Sequence, residues 1–321
     1  MSEQIILQDK KETAKIRTKI TWRRDFQLNY QLYLLVTLPV IYIFIFRYIP
    51  MYGAQIAFRD FVASKGFFRS EWVGLKNFEK FFASPYFVRI IRNTLEISLY
   101  TLIAGFPFPI ILALSLNCAL NRRFKKSVQM ITYAPFFIST VVMVGMIMQF
   151  LSAKIGFVNR GLELVGITPI HFMGEAGWFS SVYVWSGIWQ RAGWNSIIYL
   201  AALSTVDPNL HEAAIVDGAS RLRRVLHIDI PRILPTIIVI LIIQSGQIMN
   251  VGFEKVILMQ NPLNLSRSEI ITTYVYKVGL VSSIPNYSYG AAIGLFNSII
   301  NLLLILSVNK LSKMITNQSL W

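Results

Sequence analysis

The residues whose types and spacing best define a chemistry lie in the polar, basic stretch Glu212–Pro231, which separates two strongly apolar segments. The chemistry is non-covalent docking. An acidic side chain on a short helix can pair with a basic residue of a partner, and small alanines let a partner surface approach closely. The candidate docking residues are Glu212, Ala213, Ala214, Asp217, Gly218 and Ala219.

The loop 207–232 must position these residues, and its sequence predicts a helix–turn–helix. Asp207 is a favourable N-cap, and Pro208 fits the first helical position, where its missing N–H costs nothing. Gly218 takes a left-handed conformation at no steric cost, so the first helix should end there. We expect a second short helix, carrying Arg221, Arg223, Arg224 and Leu226, to stop at Pro231.

An alternative for this loop is contact with lipid headgroups, which the arginines Arg221, Arg223 and Arg224 would suit. Lipid binding does not explain Glu212, the alanine pair or the Asp-Gly break. Docking to a protein is therefore the favoured interpretation.

Motifs for covalent chemistry are missing from the sequence. It has no phosphate-binding Gly-x-x-x-x-Gly-Lys-Ser/Thr loop, and no HExxH, CxxC or Gly-x-Ser-x-Gly pattern. The three histidines, His171, His211 and His227, are scattered, and Cys118 is the single cysteine. We expect no catalytic residue, no metal site and no cofactor bound by this chain.

The composition indicates a membrane protein. The 321 residues are 54% hydrophobic and only 15% charged, whereas soluble domains carry about 25% charged residues. Apolar runs of about 20 residues are long enough to cross a bilayer as helices. We therefore predict an all-α polytopic membrane protein with six transmembrane helices, near Leu32–Tyr48, Leu95–Leu116, Val128–Leu151, Ser181–Leu203, Thr236–Leu258 and Ala291–Val308.

The positions of the basic residues predict the orientation. A short basic turn, Arg122–Lys126, joins the second and third spans, and such turns stay in the cytoplasm. The loop 207–232, between the fourth and fifth spans, and both termini are then also cytoplasmic. The predicted domains are a basic tail 1–31, a transmembrane domain 32–309 with an external loop 50–92, and a tail 310–321. Because the positive charges cluster beside spans, the net charge of +15 does not indicate nucleic-acid binding.

The loop resembles the signature loop of inner-membrane permease subunits of binding-protein-dependent ABC importers. The matching pattern is Glu212-Ala-Ala, then Asp217-Gly-Ala, then Ile228-x-Ile-Pro. Six further segments are similar to the sugar-importer branch, which includes permeases for complex oligosaccharides, pectin and alginate. They are Tyr48-Ile-Pro-Met-Tyr-Gly, Ala57-Phe-Arg-Asp-Phe, Trp72-Val-Gly-Leu-Lys-Asn-Phe, Asn93-Thr-Leu, Gly193-Trp-Asn-Ser and Gly252-Phe-Glu-Lys.

The resemblance implies a fold, partners and a cargo. The chain would be half of a heterodimeric pore with a second permease subunit, with its loop in a cleft of one of two ATPase subunits. ATP and Mg²⁺ would be bound there, and Glu212 would meet a basic residue. An extracytoplasmic solute-binding protein would deliver oligosaccharide to the outer face, where Glu254 and Lys255 would serve that interface.

Candidate substrate contacts surround Arg191 in the fourth predicted span. A charge inside a bilayer is costly, so Arg191 should face a wet cavity or an acid. Neighbouring tryptophans could stack on sugar rings, and amides could bond hydroxyls; the alternative is that all of them only pack between helices. The candidates are Trp185, Trp189, Gln190, Arg191, Trp194, Asn195, Asn250 and Asn297.

Two other functions compete with the importer prediction. An ion-coupled secondary transporter would need carboxylates inside its spans, and only Glu96 and Glu254 approach such positions. A membrane-anchored scaffold would not need a docking loop held so tightly between two spans. The importer permease is favoured over both.

Overall fold

The computed structural model describes residues 22–316, and it is almost entirely helical. The described residues divide into two compact units, with the division between residues 55 and 56. Most of the predicted tail 1–31 lies outside the described residues. The α-helices are α1 (Trp22–Ile43), α2 (Ile49–Met51), α3 (Gly66–Arg69), α4 (Lys76–Phe82), α5 (Phe87–Gly105), α6 (Pro107–Cys118), α7 (Arg122–Tyr133), α8 (Thr140–Phe150), α9 (Phe157–Leu164), α10 (Phe179–Leu203), α11 (Pro208–Val216), α12 (Arg221–Arg224), α13 (Ile230–Ser245), α14 (Phe253–Met259), α15 (Leu265–Ser268), α16 (Ile271–Tyr276) and α17 (Tyr287–Thr316).

Shorter elements join these helices. Two strands, β1 (Arg59–Asp60) and β2 (Glu71–Trp72), pair antiparallel in register Arg59 to Trp72. Tight 3₁₀ turns and wide π-type turns occupy other junctions. The 3₁₀ turns are Tyr52–Phe58, Ala134–Phe137 and Ala176–Trp178, and the wide turns are Phe44–Tyr48, Val225–Asp229 and Lys277–Val281.

Four helical stretches of the described residues are long and apolar enough to cross a membrane, namely Asp25–Phe58, Phe87–Cys118, Arg221–Ser245 and Tyr287–Met314. They contain the predicted first, second and sixth spans. The fourth predicted span is present as α10, a helix of 25 residues, but its polar residues lower its mean hydropathy. By length and composition alone, the described part of the chain has four candidate spans, or five with one bent pair, so the predicted total of six remains a prediction.

The predicted third span, Val128–Leu151, is not a single straight helix. The helical stretches 122–137 and 140–150 meet at an angle of 102°. Pro135 lies in the turn before the break, and Ser139 caps α8 by accepting a hydrogen bond from the backbone N–H of Val142. A proline and the N-cap of a new helix lie only a few residues apart, which explains the bend.

The predicted fifth span, Thr236–Leu258, is wrong in its boundaries. The apolar helix starts at Arg221 and ends at Ser245, and a turn separates it from the short helix α14. Asn250 holds that turn, because its Oδ1 accepts hydrogen bonds from Asn297 Nδ2 and Asn301 Nδ2 of α17, at 3.0 and 3.1 Å. Hydrogen bonds between side-chain amides therefore end the span early, and the mean hydropathy of the sequence does not reveal them.

The second unit is organised around α10. At one end of α10, Tyr199 and Leu203 are buried with Leu114 of α6 and Ile233 of α13. Near its other end, Phe179 and its neighbours pack with Val256 of α14 and residues of α5 and α8. α10 therefore packs against α13 at one end and against α14 near the other.

Candidate functional site

Loop 207–232 begins as the sequence predicts. The Asp207 carboxylate accepts a hydrogen bond from the backbone N–H of Asn209 at 3.0 Å, and Pro208 occupies the first position of α11. The cap satisfies one of the amides that a helix start leaves unpaired. α11 then carries Glu212, Ala213 and Ala214.

The end of α11 is a Schellman motif centred on Gly218. Gly218 has φ of +74°, its N–H donates to the carbonyl of Ile215 at 3.0 Å, and that of Ala219 donates to the carbonyl of Ala214 at 2.8 Å. This pair of bonds defines the motif, which requires a left-handed residue where glycine is favoured. Asp217 is the C-cap residue. The predicted end of the helix is confirmed.

The second half of the loop differs from the prediction. Ser220 caps α12 through a hydrogen bond from the backbone N–H of Arg223, and the helix does not stop at Pro231. A wide turn at Val225–Asp229 lets the Ile230 N–H reach the carbonyl of Val225, five residues back. The wide turn contains one residue more than an ordinary helical turn. The helix therefore continues past Pro231, which lacks an N–H, and into α13 without an intervening loop.

The docking candidates are accessible. Glu212, Ala213, Asp217 and Gly218 are exposed, and Ala214 and Ala219 are half-buried. Apolar side chains stand among them, with Ile215 55%, Val216 87% and Leu222 68% exposed. An apolar patch on a rigid, capped helix is typical of a protein-interaction surface.

A large cavity lies in the second unit between α10, α13 and the turn after it. Its volume is about 750 Å³. Five of the eight predicted substrate contacts line it, namely Gln190, Arg191, Trp194, Asn195 and Asn250. The structure therefore brings together residues from two regions that are far apart in the sequence.

The other three candidates do not line this cavity. Trp185 Nε1 donates to Tyr100 Oη at 2.9 Å, and its ring meets Phe108 edge-on. Trp189 is 53% exposed on the outside of α10. Asn297 is buried and bonds Asn250, so it anchors a turn.

Two of the lining residues are also engaged in packing. Gln190 Nε2 donates to the carbonyl of Ile138 at 2.9 Å, which satisfies the backbone at the break between α7 and α8. Trp194 stacks on Phe136, with ring centroids 4.4 Å apart and planes within 3°. One face of this indole is therefore covered, whereas Arg191 and Asn195 are exposed toward the cavity.

Lys255 was expected on the outer surface with Glu254, and that prediction is wrong. Its side chain lines the cavity and the residue is only 7% exposed, whereas Glu254 is exposed. The Nζ donates to the backbone carbonyl of Tyr183 at 2.7 Å and lies 4.6 Å from the centre of the Tyr183 ring. The sequence gives no signal that Lys255, near the start of a short helix, is buried. The turn at Asn250, which orients that helix, was not predicted.

Loop and cavity are mechanically joined. The loop connects the end of α10 to the start of α13, and both helices line the cavity, through residues such as Arg191 and Gln244. Only the turn at residues 204–206 separates the loop from α10, and α12 continues into α13 without a break. The loop is therefore closely connected to both helices that line the cavity.

Comparison with known families identifies the class of protein. Residues 105–317 match the model for the "binding-protein-dependent transport system inner membrane component". The chain belongs to this family. The predicted kinship with permeases of binding-protein-dependent importers is confirmed, and so is a membrane location with several spans.

Relatives extend this likeness over nearly the whole chain. The protein LplB of Bacillus subtilis (strain 168) is 40% identical over 97% of this chain and 98% of its own length. The polygalacturonan/rhamnogalacturonan transport system permease protein YteP of the same organism is 42% identical, over 88% of this chain and 87% of its own length. A crystal structure of a bacterial alginate ABC transporter, in complex with an alginate pentasaccharide-bound periplasmic protein, superposes with a TM-score of 0.85. The matched chain of that structure is 37% identical in sequence, and the match covers 93% of this chain and 99% of the matched chain.

Proposed function

We propose that this permease imports oligosaccharides as half of a heterodimeric pore, powered by ATP hydrolysis in two separate subunits. The observation that carries the proposal is the direct connection of loop 207–232 to the two helices that line the cavity. Because the loop runs directly into α13 and is joined to α10 by only the turn at residues 204–206, movement of α11 would move the helices that line the cavity. The cargo class is supported by the relatives YteP and the alginate transporter.

The proposed ATPase contact is α11. Glu212 would pair with a basic residue of the ATPase, and Ala213 and Ala214 would let the two surfaces approach closely. The Schellman turn at Gly218 keeps α11 at a fixed angle to α12. ATP and Mg²⁺ would bind to the ATPase subunits, since this sequence has no phosphate-binding loop.

The loop and the basic residues 122–126, which begin α7, lie at the same end of the second unit. Leu114, near the end of α6, packs with Leu203 and Ile233 on either side of the loop. Since short basic turns stay in the cytoplasm, we place loop 207–232 and both termini in the cytoplasm. The segment 50–92 would then face outward, where a solute-binding protein delivers the cargo.

The cavity residues Arg191, Asn195 and Asn250 are the proposed contacts for sugar hydroxyls. Trp194 lines the cavity and is 39% exposed, although Phe136 covers one face of its ring. Stacking on an indole together with amide hydrogen bonds gives a sugar both apolar and polar contacts. Trp185 and Asn297 are engaged in packing and Trp189 is exposed away from the cavity, so these three residues have no place in this proposal.

The test is co-purification of the full chain with candidate ATPase subunits from the same membranes, together with ATP-dependent uptake of labelled oligosaccharide. Glu212→Ala and Gly218→Pro should each abolish ATPase association or uncouple hydrolysis from uptake. Proline cannot adopt the positive φ of Gly218. Gly218→Asn should retain coupling, because asparagine tolerates the left-handed conformation.

The matched control is Glu163→Ala, since Glu163 is an equally exposed glutamate on another short helix, α9. It should leave both association and uptake unchanged. Uptake that follows an ion gradient, with no ATPase attached, would instead assign the chain to secondary transport and refute the proposal.

A further inference from the structure

A short connection between α6 and α7 joins two apolar helical stretches of the second unit. The stretch Phe87–Cys118 is long and apolar enough to cross a membrane, and the bent pair that begins at Arg122 passes the same test. Only residues 119–121 separate the two stretches. So short a connection keeps the start of α7 at the level where the bilayer meets water.

Positive charge is concentrated at the start of α7 without a compensating acid. Four of the first five residues of the helix are cations, namely Arg122, Arg123, Lys125 and Lys126. The N-cap is the neutral Asn121, whose Oδ1 accepts hydrogen bonds from the backbone N–H groups of the second and third helical residues, at 2.9 and 3.2 Å. Within residues 22–316, none of these cations forms an ion pair with a carboxylate.

The position of these charges is unfavourable for the helix itself. The N-terminal end of an α-helix carries a partial positive charge, so anions stabilise that end and cations destabilise it. α11 follows this rule, with Asp207 as its N-cap, whereas α7 reverses it. An anion from outside the chain would relieve the repulsion among the four cations and their repulsion with the helix end.

Apolar side chains lie among the cations. Leu120 is 81% exposed and Phe124 is 60% exposed. Phe124, Val128 and Ile131 are spaced as i, i+4 and i+7, so they form one stripe along α7. The partner of this surface must therefore offer negative charge beside hydrocarbon. An anionic phospholipid does so, whereas an acidic protein surface would pair the cations and leave the apolar stripe uncovered.

We propose that residues 119–126 bind the headgroups of anionic phospholipids. Arg123 and Lys126 are both exposed and three residues apart, so they share one face of α7 and would flank one phosphate. A guanidinium pairs with a phosphate through two parallel N–H···O bonds, and an ammonium adds a point charge. Leu120 and Phe124 would insert among the acyl chains. This role goes beyond the proposed import of oligosaccharides and does not depend on the cargo.

The first test needs no substitution. The purified transporter complex is placed in nanodiscs of phosphatidylcholine, alone or mixed with phosphatidylglycerol, and hydrogen exchange of residues 119–126 is measured by mass spectrometry. With phosphatidylglycerol these amides should exchange about fivefold more slowly, the factor expected for a charge interaction at a helix end. High salt should remove the difference. Equal exchange in the two lipids would overturn the proposal.

Two further outcomes identify a different occupant of this surface. Inorganic phosphate added to the phosphatidylcholine nanodiscs should not slow the exchange. If it slows exchange as much as phosphatidylglycerol does, the surface binds free anions and the lipid proposal is wrong. The proposal is also wrong if the slower exchange requires the ATPase subunits and does not depend on the lipid, because the partner is then a protein.

The second test uses a double variant, Arg123→Gln with Lys126→Gln. It keeps Arg122 and Lys125, so the start of α7 remains basic, but its exchange should be the same in both lipids. The matched control is Lys310→Gln with Lys313→Gln, which removes two exposed lysines of the same spacing near the end of α17, where cations favour a helix. The control should keep the full lipid effect on residues 119–126. A full lipid effect in the Arg123 and Lys126 variant would overturn the proposal.

Failure of this proposal is distinct from failure of the import function. Exchange of residues 119–126 is measured without cargo or ATP, so it responds to lipid whether or not oligosaccharide is transported. Because the comparison of the two lipids uses the wild-type chain, a variant that fails to fold does not affect it.

Discussion

His211 Nε2 lies 3.2 Å from Asp229 Oδ1 and joins the first helix of loop 207–232 to the base of α13. The Asp229 side chain is only 2% exposed. Its Oδ1 has no aligned hydrogen-bond donor in the described part of the chain, so His211 is the side chain closest to pairing with this buried carboxylate. It is the one ion pair that spans the two arms of this loop among the described residues.

We predict that His211→Ala loosens α11. Removing the imidazole leaves a buried carboxylate without its partner, which costs about 1–3 kcal/mol. The backbone amides of α11 should then exchange with deuterium faster, and uptake per ATP hydrolysed should fall. Hydrogen-exchange mass spectrometry of the purified complex measures the first effect.

The control for this prediction is His227→Ala. His227 Nδ1 contacts the carbonyl of Arg223 within the same helical turn, at 2.9 Å, and bridges nothing. Its loss should leave exchange in α11 unchanged. If His211→Ala also leaves that exchange unchanged, the ion pair does not hold the loop.

We predict that Gly193→Ala is strongly destabilising. A Cβ at Gly193 would lie 2.0 Å from the carbonyl oxygen of Thr132, so α10 and α7 would have to move apart. Overpacking of this kind costs about 1–3 kcal/mol or more. Thermal unfolding of the detergent-solubilised protein should show the loss. Gly145→Ala is the control, because no atom lies within 4 Å of the added Cβ, and alanine favours a helix by about 1 kcal/mol.

We predict that Asn159→Ala destabilises the segment after α8. Asn159 is buried, and its amide bonds the carbonyls of Leu151, Ser152 and Ile170 while its Oδ1 accepts from the Ile170 N–H at 2.8 Å. Alanine removes these bonds and leaves the Ile170 N–H without its acceptor, which costs about 1–3 kcal/mol. The melting temperature should fall clearly. Asn209→Ala, at an exposed position of α11, should not change it, and equal stability of both variants would contradict the argument.

Loop 207–232 shows what the sequence could predict. The N-cap at Asp207, the proline at the first helical position and the end of α11 at Gly218 follow from local backbone chemistry, and all three are confirmed. The stop at Pro231 was wrong because a wide turn, which has no residue signature, compensates for the missing N–H. Local sequence rules therefore predict both ends of α11, but they do not predict that α12 continues into α13.

The cavity contains residues that the sequence could predict and residues that it could not. Arg191 gave a signal because a charge stood within an apolar stretch. Lys255 gave none, because its burial depends on the turn at Asn250, which is held by amides of α17 about fifty residues away in the chain. Contacts of that range are set by tertiary packing and leave no periodic pattern. The eight predicted contacts therefore included packing residues such as Trp185 and omitted the buried cation.

The last prediction places a negative charge in the cavity by Asn250→Asp. A carboxylate keeps the acceptor that Asn297 and Asn301 bond at 3.0 and 3.1 Å, so the turn should be preserved and the protein should purify normally. The new charge would lie in the same cavity wall as Arg191 and Lys255 and would compete with an anionic cargo for both. Uptake of a carboxylated oligosaccharide should fall about tenfold, whereas uptake of its carboxyl-reduced form should change little. Asn286→Asp is the matched control, because Asn286 lies off the cavity wall and its Oδ1 accepts a hydrogen bond from the Tyr289 N–H at 2.9 Å, which a carboxylate preserves. An equal loss with both cargoes in Asn250→Asp would mean that the substitution acts on the structure of the turn and not on cargo charge.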